Sequence, residues 1–264
     1  IINTYSAFEK LYAGYLGLKL PFGDVVDLYG GVRIEDFHRT ISGFYKSDKD
    51  PDGNVLNDSL DIIKDTLGFF PSVNLKIKIN PRNNIRFSFG KTINRPEFRE
   101  VTSSYYEDFE LNAIVHGNPE LNSSVIYHYD LRYEWYPNAG EMLSLALFYK
   151  KFINPIEIFQ IPAGTTFDYT PFNTEEAFSR GIELDIRKQL LFMEGVPVVG
   201  FMKNLVVVFN ASLIESEINT NKAFARDSVR FMQGQSPYIV NLGLSYENNE
   251  KGFLVNVNYN RIGK

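Results

Sequence analysis

The chain has 264 residues and no cysteine. That excludes disulfides and thiolate metal sites, and it is compatible with cytosol, periplasm or outer membrane. Tryptophan is down to one residue, whereas Tyr (16) and Phe (22) are abundant for this length. There is no basic block and the net charge is −5, so nucleic acid is a poor partner. No apolar run reaches the roughly 18 residues of a transmembrane helix. The sequence opens at Ile1 with neither Met nor a basic, apolar leader, as expected of a fragment boundary. None of this excludes a membrane barrel: its strands alternate, and their mean hydropathy stays near neutral, as the −0.20 here does.

What is present is alternation. Val125, Tyr127, Tyr129, Leu131, Tyr133 and Trp135 fall on one face, with Ile126, His128, Asp130, Arg132, Glu134 and Tyr136 on the other. A period of two puts successive side chains on opposite faces of a strand. Residues 137–140 carry turn chemistry, and Leu143, Leu145, Leu147 and Tyr149 resume the apolar face. Similar strand pairs are read around residues 12–35, 72–92, 182–211 and 238–260.

The short turns fall near positions 24, 82, 139, 197 and 249, a spacing of roughly 52 to 58 residues. Between them lie stretches expected to be long loops: His38 to Phe69, Ile93 to Ser124, Phe152 to Glu175 and Glu215 to Gln235. Short turns at one end and long loops at the other fit an all-β, antiparallel transmembrane β-barrel. Phe22, Trp135, Tyr246 and Phe253 flank short turns, where an aromatic girdle belongs. A secreted, soluble β-sheet module binding carbohydrate is the alternative, since a sandwich also alternates.

Several strings resemble the TonB-dependent outer-membrane receptors, especially those of Bacteroidetes type. They include Asn94-Arg95-Pro96-Glu97-Phe98, Gly117-Asn118-Pro119-Glu120-Leu121, Gly31-Val32-Arg33-Ile34-Glu35, Arg180-Gly181-Ile182-Glu183-Leu184 and Gly234-Gln235-Ser236-Pro237-Tyr238. The resemblance implies part of a 22-stranded barrel in the Gram-negative outer membrane, with about ten strands present over 1–264 and the plug domain and last strands lying elsewhere. It also implies uptake of a scarce nutrient (siderophore-iron, haem, cobalamin or glycan). The implied partners are outer-membrane lipid, a plug, the TonB complex, a small ligand and a surface lipoprotein. No enzymatic activity and no cofactor are expected.

Candidate residues follow. His128, Asp130, Arg132, Glu134, Glu183, Asp185 and Arg187 share the charged face; they would seat the plug or line a solute path, or simply form a hydrated wall. Tyr105, Tyr106, Phe109, Phe167, Tyr169 and Phe172, beside Asp108 and Asp168, would bind ligand in the loops or merely pack there. The resemblance adds His116 as a haem-facing candidate, set against an ordinary loop histidine. Asp48, Asp50 and Asp52 match half a calcium loop, but Ser59 stands where the bidentate Glu belongs. No nucleophile–base arrangement or paired metal spacing stands out, so no hydrolase is read.

Overall fold

The structure is a computed structural model. It describes residues 4–49, 55–102, 105–109, 113–163, 166–193, 195–196, 199–220, 228–248 and 251–263, with side chains excepted at 4, 44–49, 55–60, 106–108 and 162–167. Strands β1 (Thr4–Phe22), β2 (Val26–Lys49), β3 (Val55–Asn80) and β4 (Asn83–Asn94) come first. A one-turn helix α1 (Phe98–Val101) and strands β5 (Tyr105–Asp108) and β6 (Ala113–His116) follow. Next are β7 (Ser124–Trp135), β8 (Met142–Ile153), β9 (Ile156–Ala163), β10 (Thr166–Asn173) and β11 (Glu176–Gln189). Last are β12 (Leu205–Asn219), β13 (Val229–Arg230), β14 (Tyr238–Asn248) and β15 (Phe253–Ile262).

The main sheet runs β1-β2-β3-β4-β7-β8-β11-β12-β14-β15, with β13 added beside β12. Neighbours are antiparallel throughout. Among the described residues β1 and β15 are each paired on one side only. Gly23 (φ 62°) and Gly140 (φ 78°) take left-handed backbone at two short turns, where a Cβ would be strained.

Register aligns the apolar rows. Tyr129 faces Tyr149, Leu131 faces Leu147 and Tyr133 faces Leu145. Leu145 and Leu147 are 44% and 46% exposed, whereas Ser144 and Ala146 beside them are 0% and 5%. A sandwich would bury the leucines instead, so that alternative fails. Aromatic rings bracket the apolar band. Phe89, Tyr129, Tyr149 and Phe178 succeed one another at 5.2, 6.2 and 6.4 Å near the long-loop end. Phe201, Tyr246 and Phe253 do so at 6.4 and 6.1 Å near the short turns.

The stretch from His38 to Phe69, expected as a loop, is largely strand. It extends the β2–β3 hairpin in continuous register from Asp36↔Leu67 to Lys46↔Asn57. Its pattern looked irregular because the phase reverses. Val26, Leu28, Val32 and Ile34 lie on the exposed apolar side, but Phe37, Ile41 and Ile62 lie on the opposite, polar side, where they are buried. There Ile41 and Ile62 form a cluster with Val101 and Leu121, backed by Ala7, Phe98 and Ile156. The other long connections are also partly ordered: a second sheet, β5-β6-β10-β9, gathers the loop hairpins.

Candidate functional site

The loop assembly is clasped to the sheet by the residues that carried the resemblance. Arg95 donates to Glu35 at 2.7 Å, and its guanidinium lies 4.4 Å from the centre of the Phe37 ring. Glu35 is buried, and Arg33 donates to it at 2.6 Å. Arg39 donates to the Pro96 carbonyl at 2.7 Å and to Glu9 at 3.0 Å. Such charge-assisted bonds are the strong class. At Gly117 a Cβ would sit 1.9 Å from the Thr102 carbonyl oxygen, so this backbone contact admits no side chain. Asn118 opens a turn with Pro119 second, in which the Leu121 N–H donates to the Asn118 carbonyl at 3.2 Å. Its side chain also donates to the Pro171 carbonyl at 3.0 Å. Lys64 donates to the Leu121 carbonyl at 3.0 Å. Arg95, Pro96, Gly117, Asn118 and Pro119 thus build a clasp.

The second sheet brings together four of the loop candidates. Tyr105 pairs with His116 across β5–β6, with ring centres 5.9 Å apart. His116 Nε2 lies 3.6 Å from Asp168 Oδ1 on β10. Tyr169 stands on the next rung, its hydroxyl accepting from Gln160 at 3.3 Å, and it pairs with Val115. Phe172 packs edge-on against Phe159 instead. The side chains of Tyr106, Asp108 and Phe167 lie outside the described residues, as do Asp50 and Asp52 and the side chains of Asp48 and Ser59.

On the polar face, most of the charges are paired between strands, next to one another or one strand apart. Arg86 donates to Glu134 at 2.8 Å, and Ser88 to Asp130 at 3.4 Å. Arg132 reaches Glu183 at 3.7 Å and Asp185 at 3.9 Å. His128 shares a 2.8 Å hydrogen bond with Thr92. Arg187 stands apart, lining with Arg82 and Tyr136 a cavity of about 690 Å³ at the short-turn end. Alternation places Asn256, Asn258 and Asn260 on this inward face, but sequence reasoning missed that Asn241 and Asn210 continue the wall with Asn260. Asn260 donates to Asn241, Asn241 to Asn210 at 3.1 Å, and Asn210 to Asp185, an amide ladder over four strands. Each amide is visible in the sequence; only register aligns them.

An antiparallel sheet whose apolar face is open and whose polar face carries the loops is an outer-membrane barrel wall. The family profile TonB dependent receptor-like, beta-barrel matches residues 2–264, and the chain belongs to that family. This is a family of Gram-negative outer-membrane transporters, not enzymes. The fold is similar to the hemophore receptor HasR of Serratia marcescens (TM-score 0.70, 12% identity, covering 96% of this chain and 44% of that one). It is also similar to the ferric yersiniabactin uptake receptor FyuA of Yersinia pestis (0.65, 14%, 98% and 35%). A third likeness is the ferric-catecholate import receptor Fiu of E. coli K12 (0.64, 13%, 93% and 33%). The chain therefore spans between a third and a half of these structures. No curated protein sequence matches it.

Proposed function

We propose that these strands are one part of the barrel of a TonB-dependent receptor of Bacteroidetes type that imports a scarce nutrient. The observation that carries this reading is the side on which the loops fold. Ile41 and Ile62, which they cover, share the face of Arg33 and Lys76, so the loops lie over the polar interior, where a captured solute would enter. The proposed ligand contacts are Tyr105, His116, Asp168 and Tyr169, with Tyr106, Asp108 and Phe167 as further loop candidates. His128, Asp130, Arg132, Glu134, Glu183, Asp185 and Arg187 are proposed to face a plug domain. The TonB complex and a surface lipoprotein are the proposed protein partners. Siderophore-iron and haem lead the cargo classes, because the similar structures are named for ferric-chelate and haem uptake. Growth of a deletion strain on defined iron chelates, haem, cobalamin and glycans tests this. Loss of growth on one source, restored by the intact gene, is expected; unimpaired growth on all of them overturns the reading.

A further inference from the structure

Three connections at the short-turn end are brief, residues 23–25, 81–82 and 249–252, and each carries charge: Asp24, Arg82, and Glu250 with Lys251. The connection from β11 to β12 differs. It runs over residues 190–204, and Glu194 and Lys203 are its only charged residues. Two single turns of 3₁₀ helix fold it, Leu191–Met193 and Gly200–Asn204. The Leu190 N–H donates to the Leu205 carbonyl at 3.0 Å and closes it; the Met193 N–H donates to the Leu190 carbonyl at 3.0 Å, and the Met202 N–H to the Val199 carbonyl at 2.9 Å. A Cβ on Gly200 would stand 3.7 Å from the Met193 carbonyl oxygen, so the two turns lie against each other. Leu190, Met193, Val199 and Met202 are half-buried between them. Leu191 and Val196 are exposed, and Phe192 and Phe201 are 63% and 61% exposed.

Two contacts fix the side on which these rings stand. Phe201 lies 6.4 Å from Tyr246, whose other neighbour is Phe253, so it extends the aromatic row of the apolar face. Lys188 shares that face with Ile182 and Ile186, and its Nζ lies 5.9 Å from the centre of the Phe192 ring. Both phenylalanines therefore stand on the lipid side of the wall, not over its polar face. Short turns mark the periplasmic end of such a barrel, and aromatic rings with a lysine beside them favour the headgroup level. We propose that this connection is seated in the inner leaflet of the outer membrane, with Leu191, Phe192, Val196 and Phe201 among the acyl chains. The occupant is lipid because the apolar surface continues one that lipid already covers. Seated so, the connection holds the short-turn end of β11 and β12 at a fixed depth.

The proposal rests on the barrel-wall reading, and its test separates the two. Because the chain has no cysteine, single cysteines introduced into the whole chain can each carry one nitroxide label. Paramagnetic resonance in vesicles of phosphatidylethanolamine and phosphatidylglycerol then compares collision with oxygen, which dissolves in lipid, and with a water-soluble nickel chelate. Labels at Phe192→Cys and Phe201→Cys are expected to prefer oxygen, at a depth of about 5–10 Å into the boundary between headgroups and acyl chains. Val196→Cys, which leaves both phenylalanines in place, should also prefer oxygen. Leu145→Cys marks the apolar band and Asp24→Cys the aqueous turn at the same end, and unchanged circular dichroism certifies each fold. Preference for nickel at Phe192→Cys or Phe201→Cys, with Leu145→Cys still preferring oxygen, overturns the seat and leaves the wall standing. Shielding from both reagents means a protein cover, whether a plug or a second copy, and overturns the seat equally. Preference for nickel at Leu145→Cys overturns the wall, and the seat with it.

Discussion

The two halves of the β2–β3 hairpin are built on opposite rules. In the lower half Val26, Leu28, Val32 and Ile34 put their apolar side out, with Asp27 and Arg33 on the other. In the upper half Asp36, His38 and Asp65 are on the outer side, and Phe37, Ile41 and Ile62 are buried on the inner one. The backbone register does not change between them. What changes is the medium: below, hydrocarbon outside and a wet interior; above, water outside and a packed loop core inside. Burial of apolar surface fixes which side is which in each half, so one strand carries two phases of the same alternation.

The largest effect is expected from Ile41→Asp, which places an unpaired charge among Ile62, Val101 and Leu121. Several kcal/mol, about 3 to 5, should be lost from the loop assembly, read as faster hydrogen exchange in α1 and β6. Leu131→Arg, in the apolar band, should cost about 2–4 kcal/mol in folding into lipid vesicles. Removing the clasp with Arg95→Gln leaves buried Glu35 with Arg33 as its one side-chain partner among the described residues and should cost about 1–3 kcal/mol, measurable by denaturant titration. Ile63→Arg sharpens the comparison most. Ile63 is 70% exposed, more than Leu131, but on the water-facing upper half, so the change should stay within about 0.5 kcal/mol. If it cost as much as Leu131→Arg, the two-media account would fail.

The smallest effect concerns His38, which lies above the apolar band. Hydrogen bonds donated to the Asp65 and Asp36 carboxylates raise its pKa above the ordinary 6.5. A raised histidine pKa stabilises the fold fully below the unfolded value, and the gain is lost as pH rises through the folded one. Exchange at the His38 and Asp65 amides should therefore be slower in mild acid than in mild alkali, beyond the intrinsic pH effect. In His38→Gln that extra dependence should disappear.

The barrel band was legible in the sequence because a period-two pattern with turn residues at its ends has few other solutions. The rows Leu131, Leu145 and Leu147 against Asp130, Arg132 and Glu134 stand where alternation put them. The upper hairpin was not legible, since parity alone does not say that the surrounding media have exchanged places. Nor was the meeting of His116 with Asp168, residues in different loops brought together by one rung between β6 and β10.

By itself, then, the sequence determined the alternating band, the two unlike ends and the two faces, because those follow from side-chain direction along a strand. Tertiary structure alone decided which loops meet, which motif residues became a clasp and where the phase reverses. Those depend on what each face is packed against, and a chain carries no local record of its distant neighbours.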